Sequence, residues 1–357
     1  MGTLGWIEAF IRILMFFFGT VGNSCLWLCS LPGPQTPLRT NELLFLNLAA
    51  SNLLNNCLVD LPDAMSDFAG EWFMGKAYCS IFLFCADLSE TNGIFFTMFI
   101  TVFWNQKLVG SLKRGGAPVR LDNLQLVTVL LAGSWIVSVS FNVPRLFFSR
   151  LEGENASRKC VEYYPSETAM VMYNSVIMAL ANAVPLAGTV FASLQIVVTL
   201  LQHMTRVQGL SAESHNSTGN APPNETRSTN NDQRNTNNDQ RSSGTSKNQE
   251  GPVGDLVRTR VAERNPGSSS QVRAAKSVVA VVTVFLVCWL THLIVRITSS
   301  IHNSTLILDI ATYTAASYPS IIPYMFLYGA KKLISPKQLL QKLIKTVRLL
   351  VHCRGVA

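Results

Sequence analysis

Seven long runs of mostly apolar residues follow one another along the 357-residue chain, separated by polar intervals. Each run holds about 20 or more residues, the length that an α-helix needs to cross a hydrocarbon core of ~30 Å. Because lipid offers the backbone no hydrogen-bond partners, runs of this length are predicted to be helices. They lie at about 4–30, 42–67, 79–105, 124–148, 169–201, 272–299 and 306–330. The pattern predicts an all-α membrane protein whose residues 1–330 form a seven-transmembrane helix bundle.

One polar interval, residues 202–271, is much longer than the others. It is rich in Asn, Ser, Thr, Gln and Arg and almost free of aromatic residues. Such a segment cannot bury enough apolar surface to offset the entropy lost on ordering, so it is predicted to be disordered. Its two ends are expected to extend the flanking helices. The interval is either a regulated partner-binding loop or a repeat expansion with little role.

The segment after the last run, residues 331–357, has a helical pattern of its own. Ser335 suits a helix N-cap and Pro336 suits the first helical position. Leu339, Leu340 and Leu343 then share one face, with several lysines around it. A basic amphipathic helix of this kind lies on a membrane surface. The pattern predicts a short amphipathic eighth helix that contacts membrane lipid.

The composition supports a membrane protein and gives the basic residues a location. Hydrophobic residues make up 48% of the chain and charged residues 14%, against about 25% charged in soluble domains. The net charge of +8 does not indicate nucleic-acid binding, because the basic residues lie in the polar intervals and the tail. Apart from 202–271, the intervals and the tail on one side hold twelve Lys and Arg residues and the intervals on the other side hold four. The positive-inside rule then predicts a multi-pass protein of the cell membrane with an extracellular N-terminus and a cytoplasmic C-terminus.

Two cysteines and one sequon are expected to be modified on the outer face. Cys79 and Cys160 both fall on the oxidising side of the membrane, where a disulfide between them is predicted. Asn155 lies in an Asn-Ala-Ser sequon within an external interval, so it is the predicted glycosylation site. The sequons at Asn216 and Asn224 are expected to be cytoplasmic and unmodified.

Short motifs along the runs resemble those of the rhodopsin-like G-protein-coupled receptors. Gly19-Thr-Val-Gly-Asn23 is similar to the GxxGN pattern of the first helix, and Leu48-Ala-Ala-Ser-Asn52 is similar to LAxAD with Asn in place of Asp. Trp135 and Cys288-Trp-Leu-Thr291 suit the fourth and sixth helices. Phe103-Trp104-Asn105 stands where most members have Asp-Arg-Tyr. The resemblance implies a receptor that lacks the usual ionic restraint on its resting state.

These departures resemble the vomeronasal type 1 receptors and their fish relatives, the olfactory-receptor-class-A-related receptors. Thr101-Val-Phe103 and the segment from Pro37 to Asn52 are similar to motifs of that family. The resemblance implies a chemosensory receptor for an odorant or pheromone that activates a heterotrimeric G protein. The G protein is expected to face Trp104, Asn105 and Lys107. Bitter taste receptors are the nearest alternative, although they generally lack the external cysteine pair.

Ionisable and hydroxyl-bearing residues within the outer halves of the runs are the candidate ligand contacts. Charged groups inside a membrane are costly and therefore mark functional sites. The candidates are Asp87, Glu90, Thr91, His292, Arg296, Tyr313 and Tyr318. Arg296 would bind a carboxylate, and Asp87 or Glu90 would bind an amine. The alternative is an internal ion pair of Asp87 or Glu90 with Arg296 that only stabilises the bundle.

Other function classes lack the residues that they require. The last run, 306–330, contains no lysine that could form a retinal Schiff base. No inverted repeat supports a transporter, which remains a second alternative. No His-Glu-x-x-His motif or nucleophile elbow indicates an enzyme. No cofactor and no metal site are predicted.

Overall fold

The structure is a computed structural model that describes residues 3–33, 35–112, 119–153, 158–217, 266–299 and 305–329. Predictions for Asn155, for the proposed eighth helix and tail at 331–357, and for the middle of the long interval lie outside the described residues. The side chains of His292 and Arg296 lie outside them too.

The described residues form seven helical rods and one β-hairpin. Two rods contain a π-helical stretch between two α-helical parts. The rods are α1 (Thr3–Ser30), α2 (Thr40–Asn55, Asn56–Asp60 and Leu61–Ala69), α3 (Gly75–Leu112), α4 (Leu124–Asn142), α5 (Glu167–Val176, Ile177–Ala183 and Val184–Ser217), α6 (Pro266–Ser299) and α7 (Thr305–Gly329).

Helix α3 is the centre of the bundle. It packs against α2, α4, α5 and α6, while α1 packs against α2 and α7, and α6 packs against α7. Large side chains that meet at the centre are fully buried, among them Phe96 and Ile100 of α3, Phe285 of α6 and Ile322 of α7. The seven-helix arrangement predicted from the apolar runs is therefore present.

Three described segments are long and apolar enough to cross a membrane by length and composition alone, namely Trp6–Ser30, Leu124–Leu146 and Glu167–Arg206. Helices α2 and α3 also carry polar side chains within the bundle. Their polar side chains point into the bundle: Asn52 and Asn56 of α2 and Asn92 and Thr97 of α3 are buried. Polar groups that face other helices are tolerated in a membrane because they can find partners there.

Several helix ends differ from the sequence-based prediction. Asn123 caps α4 by accepting hydrogen bonds from the amides of Gln125 and Leu126. The predicted end of this helix at residue 148 is wrong, because α4 ends at Asn142 and a 3-10 turn, Val143–Leu146, follows it. Pro144 lies in that turn and cannot donate a backbone hydrogen bond. Helix α5 continues to Ser217 and α6 begins at Pro266, so the helices extend further into the long polar interval than expected.

A two-stranded antiparallel hairpin closes one end of the bundle. Strands β1 (Ser149–Glu152) and β2 (Lys159–Glu162) pair with Leu151 opposite Cys160. The backbone amide of Trp72 donates to the carbonyl of Arg158 at 2.6 Å. The hairpin thus lies over the start of α3, at the end of the bundle that we call the disulfide end.

Candidate ligand-binding site

A disulfide fixes the hairpin to α3. Cys79 at the start of α3 is bonded to Cys160 of β2, and their Cα atoms are 5.5 Å apart. The hydroxyls of Ser80 and Ser149 lie 2.6 Å apart and share a hydrogen bond that joins the same two elements. The predicted disulfide between Cys79 and Cys160 is therefore confirmed.

Arg145 forms the centre of a charged cluster beneath the hairpin. Its guanidinium is ion-paired with Asp87 of α3 and lies 2.6 Å from the carboxylate of Glu162 in β2. It also donates to the hydroxyl of Tyr164 and lies 5.2 Å from the ring centre of Tyr173 in α5. We call these five residues the Arg145 cluster. It joins α3, the end of α4, the hairpin and α5.

Two predicted ligand contacts, Asp87 and Thr91, are bound by residues at the end of α4. Asp87 is ion-paired with Arg145, a partner that sequence reasoning did not assign to it. Thr91, one turn further along α3, is buried and accepts a hydrogen bond from the amide of Asn142 at 3.2 Å. Both side chains therefore face α4. Glu162 lies two residues after the bonded Cys160. That spacing was the sequence signal that could have placed Glu162 near Asp87.

The environment of the Arg145 cluster raises the pKa of the Tyr164 phenol. Tyr164 lies in the loop after β2, where burial raises its pKa above the ordinary value. The negative charge of Glu162 acts in the same direction, while Arg145 opposes it. The phenol is therefore held in its neutral form, in which it can donate to the carboxylate of Glu162, 3.2 Å away.

Among the described residues, α3 borders open space at Gly93. Glu90 is half-buried, and Gly93 and Thr97 follow it at helical spacings of three and seven residues. Gly93 is buried, yet a Cβ atom placed on it would meet no described atom within 4 Å. Interiors are ordinarily close-packed, so this gap is a candidate ligand cavity.

Tyr318 of α7 forms the floor below this gap. It is buried, its hydroxyl is hydrogen-bonded to that of Thr97, and its ring lies 4.9 Å from that of Phe285 of α6. Helices α3, α6 and α7 therefore meet beneath Gly93. His292 and Arg296 follow Phe285 along α6 toward the disulfide end, and their predicted roles concern side chains outside the described residues.

Tyr313 lies apart from Tyr318, although the sequence suggested one shared cavity. Its ring is stacked on the guanidinium of Arg12 of α1, with 4.9 Å between the ring centre and the guanidinium carbon. Arg12 is also ion-paired with Asp63 and Asp67 of α2. Five residues separate the two tyrosines, which places them on different faces of α7. Among the described residues, Tyr313 contacts α1 whereas Tyr318 contacts α3 and α6.

The opposite end of α3 is held by a neutral amide pair and by one partly exposed ion pair. The amide of Asn105 donates to the side-chain oxygen of Gln195 in α5 at 2.6 Å, and Asn105 is buried. Lys107 is ion-paired with Asp122 in the turn before α4, at 2.7 Å. Trp104 lines a cavity of 380 Å³ together with Arg39, Thr40 and Lys107. Gln195, which sequence analysis did not identify, is thus the partner of Asn105.

A larger cavity of 1080 Å³ lies elsewhere, between α1, α6 and α7. Its lining is mostly apolar and includes Ile11, Phe18, Ile321 and Tyr324. It contains none of the predicted ligand contacts, so its size alone does not make it the candidate site.

Comparison with known proteins identifies the family. A family model described as the 7 transmembrane receptor (rhodopsin family) matches residues 25–325, which is most of the chain. The chain belongs to the rhodopsin family of seven-transmembrane receptors. This is a family of receptors and not of enzymes, and its members are multi-pass membrane proteins.

A solved receptor structure agrees with the fold. The receptor is similar to the crystal structure of squid rhodopsin, with a TM-score of 0.64 at 13% sequence identity. The similarity covers 98% of this chain and 87% of that chain. At this identity the likeness concerns the fold alone, and it confirms the seven-helix bundle.

Proposed function

We propose that this receptor is a chemosensory receptor of the vomeronasal type 1 or fish olfactory-receptor-class-A-related kind. It binds a small polar odorant or pheromone and activates a heterotrimeric G protein. Its disulfide end faces the cell exterior, because disulfides form in oxidising compartments and the basic residues concentrate in the other intervals. The N-terminus is then extracellular, the C-terminus is cytoplasmic, and Asn155 is accessible to glycosylation.

The gap beside Gly93 is the observation that carries this proposal. Gly93 follows Glu90 by three residues and precedes Thr97, whose hydroxyl is hydrogen-bonded to that of Tyr318, by four. A cavity with a few polar groups and apolar walls is typical of small-molecule sites. Glu90 would bind an amine, or Arg296 and His292 of α6 would bind an acid. Asp87 and Thr91, which face α4, would support the site, and Tyr313 would lie outside it.

Activation follows from the way in which the gap is bounded. A ligand beside Gly93 touches α3, and its floor joins α3 to α6 and α7 through Thr97, Tyr318 and Phe285. A ligand shifts the receptor between two helix arrangements only if it binds one of them more tightly. The shift would reach the G-protein side at Trp104, Asn105 and Lys107, where the amide of Asn105 donates to Gln195 of α5.

The experiment is a reporter-cell screen of small acids and amines on the parent receptor and on Gly93→Leu. A leucine at Gly93 fills the gap, so we expect the concentration for half-maximal response to rise at least tenfold at equal surface expression. Gly133→Leu is the matched control, since Gly133 of α4 also has no described atom within 4 Å of its Cβ position and lies far from the gap. Equal responses of Gly93→Leu and the parent would refute the site.

The charge of the ligand is assigned by two further variants in the same screen. Loss of amine responses in Glu90→Gln identifies Glu90 as the amine contact, and loss of acid responses in Arg296→Ala identifies Arg296 as the carboxylate contact.

A bitter taste receptor is the alternative within the family, and the bonded Cys79–Cys160 pair argues against it. Ligand-independent solute flux through the purified protein would instead indicate a transporter.

A further inference from the structure

The cavity of 1080 Å³ beside α7 is a groove that runs along one face of this helix. Ser317, Ile321 and Tyr328 form its floor, and their spacings of four and seven residues place them on one side of a helix. Phe18 of α1 and Lys276 of α6 lie in its two walls. The floor extends from Ser317 to Tyr328, about 16 Å at the rise of an α-helix. That length is about half of a hydrocarbon core of ~30 Å, so the groove has the depth of one leaflet.

The groove opens toward the membrane and not toward water. Ile11 and Phe18 of α1 and Ile321 of α7 line it and are 38%, 50% and 43% exposed. Apolar side chains that are exposed on membrane-spanning helices contact lipid hydrocarbon, which is as apolar as they are. A molecule that fills the groove therefore enters from the bilayer and has an apolar part.

Most polar groups of the groove already have partners. Four hydroxyls each donate to a backbone carbonyl at 2.7–3.2 Å, namely those of Ser277, Ser317, Ser320 and Tyr324. Lys276 and Tyr328 are the remaining polar residues of this lining, and no described carboxylate forms an ion pair with Lys276. Tyr328 is 77% exposed. An ammonium and a phenol hydroxyl are therefore available to a ligand.

Lys276 and Tyr328 lie at the same end of the groove. Ser277, the neighbour of Lys276, is hydrogen-bonded to Met325, and Tyr328 follows Met325 by three residues on the same side of α7. Lys276 precedes Phe285 along α6, so this end of the groove points away from the disulfide end. A lysine and a tyrosine at such a place are typical of the headgroup level of a membrane, where the ammonium reaches polar groups while its stem stays in hydrocarbon.

We propose that the groove binds one anionic phospholipid, whose headgroup contacts Lys276 and Tyr328 and one of whose acyl chains lies along Ile321 and Phe18. A zwitterionic lipid carries no net charge to balance Lys276, whereas an anionic lipid does. Basic pockets between membrane-spanning helices on the cytoplasmic side bind anionic headgroups in this way. The lipid belongs to the cytoplasmic leaflet in the proposed orientation of the receptor, but the binding itself does not depend on that orientation.

The bound lipid stabilises the packing of α6 on α7. It contacts α6 through Lys276 and α7 through Tyr328, near the hydrogen bond that Ser277 donates to Met325. A lipid that binds this helix arrangement more tightly than others shifts the receptor toward it. The site is independent of the odorant cavity, because Gly93 lies on α3 and does not line the groove. Its failure would leave the proposed chemosensory function untouched.

The test is native mass spectrometry of the full-length receptor, purified in detergent and mixed with equal amounts of phosphatidylserine and phosphatidylcholine that have identical acyl chains. We expect the parent to retain one phosphatidylserine in preference to phosphatidylcholine. Lys276→Gln should lower this preference about fivefold, as expected for losing the attraction of one lysine to an anionic lipid. Lys107→Gln is the matched control, since Lys107 lies at the same end of the bundle, is ion-paired with Asp122 and does not line the groove.

A second variant and thermal unfolding locate the lipid in the groove. Ile321→Trp fills the apolar part of the groove and leaves Lys276 in place, so it should lower the retention of phosphatidylserine. This variant should fold, because Ile321 lies outside the core. A ligand that binds only the folded state raises Tm, so phosphatidylserine should raise Tm of the parent more than phosphatidylcholine or cholesterol does.

Four results would each overturn the proposal. Equal retention of the two phospholipids by the parent would show that the headgroup is not selected. Equal losses of preference in Lys276→Gln and Lys107→Gln would indicate attraction to the overall positive charge. Unchanged retention in Ile321→Trp would place the lipid elsewhere. A rise of Tm with cholesterol and not with phosphatidylserine would identify a sterol site.

Discussion

The two ends of α3 are held in chemically different ways. At the disulfide end, a covalent bond at Cys79 and an ion pair at Asp87 join α3 to the hairpin and to α4. At the opposite end, the amide pair of Asn105 and Gln195 joins α3 to α5. Removing one partner of a buried ion pair costs about 3–5 kcal/mol, whereas a neutral hydrogen bond contributes about 0.5–1.5 kcal/mol. One end is therefore fixed, and the other can rearrange at low cost.

We propose that the two ends of α3 have different roles in the receptor. The disulfide end supplies a rigid frame in which Glu90 and the gap beside Gly93 keep their positions relative to α6 and α7. We propose that the opposite end supplies the contact that rearranges on activation. Asp87 and Thr91, two of the predicted ligand contacts, face α4 because Arg145 and Asn142 bind them there.

The largest effect is expected from removing the disulfide. Cys79→Ser and Cys160→Ser should each lower stability by about 2–5 kcal/mol, and the double variant should lose no more than either single one. Surface expression and thermal unfolding measure this. Cys57→Ser is the matched control, because Cys57 is a free, exposed cysteine of α2. A single variant that is as stable as the parent would contradict a fixed disulfide end.

The next largest effect is expected at the Arg145 cluster. Arg145→Ala leaves Asp87 and Glu162 without their cation, so we expect a loss of about 3–5 kcal/mol. Asp87→Asn should cost less, since Arg145 keeps Glu162. The control is Arg150→Ala, whose ion pair with Glu152 joins side chains that are 50% and 61% exposed and should contribute about 0–1 kcal/mol. Equal losses in Arg145→Ala and Arg150→Ala, measured by thermal unfolding, would refute the cluster.

The smallest effect is expected from Lys107. Its ion pair with Asp122 joins partly exposed side chains, so Lys107→Ala should lower stability by less than about 1 kcal/mol. Raising the salt concentration should weaken the parent and leave the variant unchanged, because exposed pairs are screened. Thermal unfolding in a salt series tests this. A loss as large as that of Arg145→Ala would show that the two ends are held equally firmly.

The sequence predicted the fold better than the site, for a physical reason. Apolar runs of membrane length specify helices whatever their neighbours are, and the disulfide followed from two cysteines on one side of the membrane. The partners of Asp87 and Asn105 depend on which faces of α3 point to α4 and to α5. That rotation is set by packing throughout the bundle, so spacing within one helix could group Asp87 with Glu90 but could not assign Arg145 or Gln195. The same limit applies to Tyr313 and Tyr318, which contact different helices.

We propose that the neutral hydrogen bond from Asn105 to Gln195 restrains the resting receptor. A double-mutant cycle of ligand-independent G-protein activation, normalised to surface expression, tests it most directly. We predict that Asn105→Ala and Gln195→Ala each raise basal activation about 2–10-fold, as expected for losing about 0.5–1.5 kcal/mol of restraint, and that the double variant rises no further. Basal activation that is unchanged in both single variants, or that multiplies in the double variant, would contradict the claim.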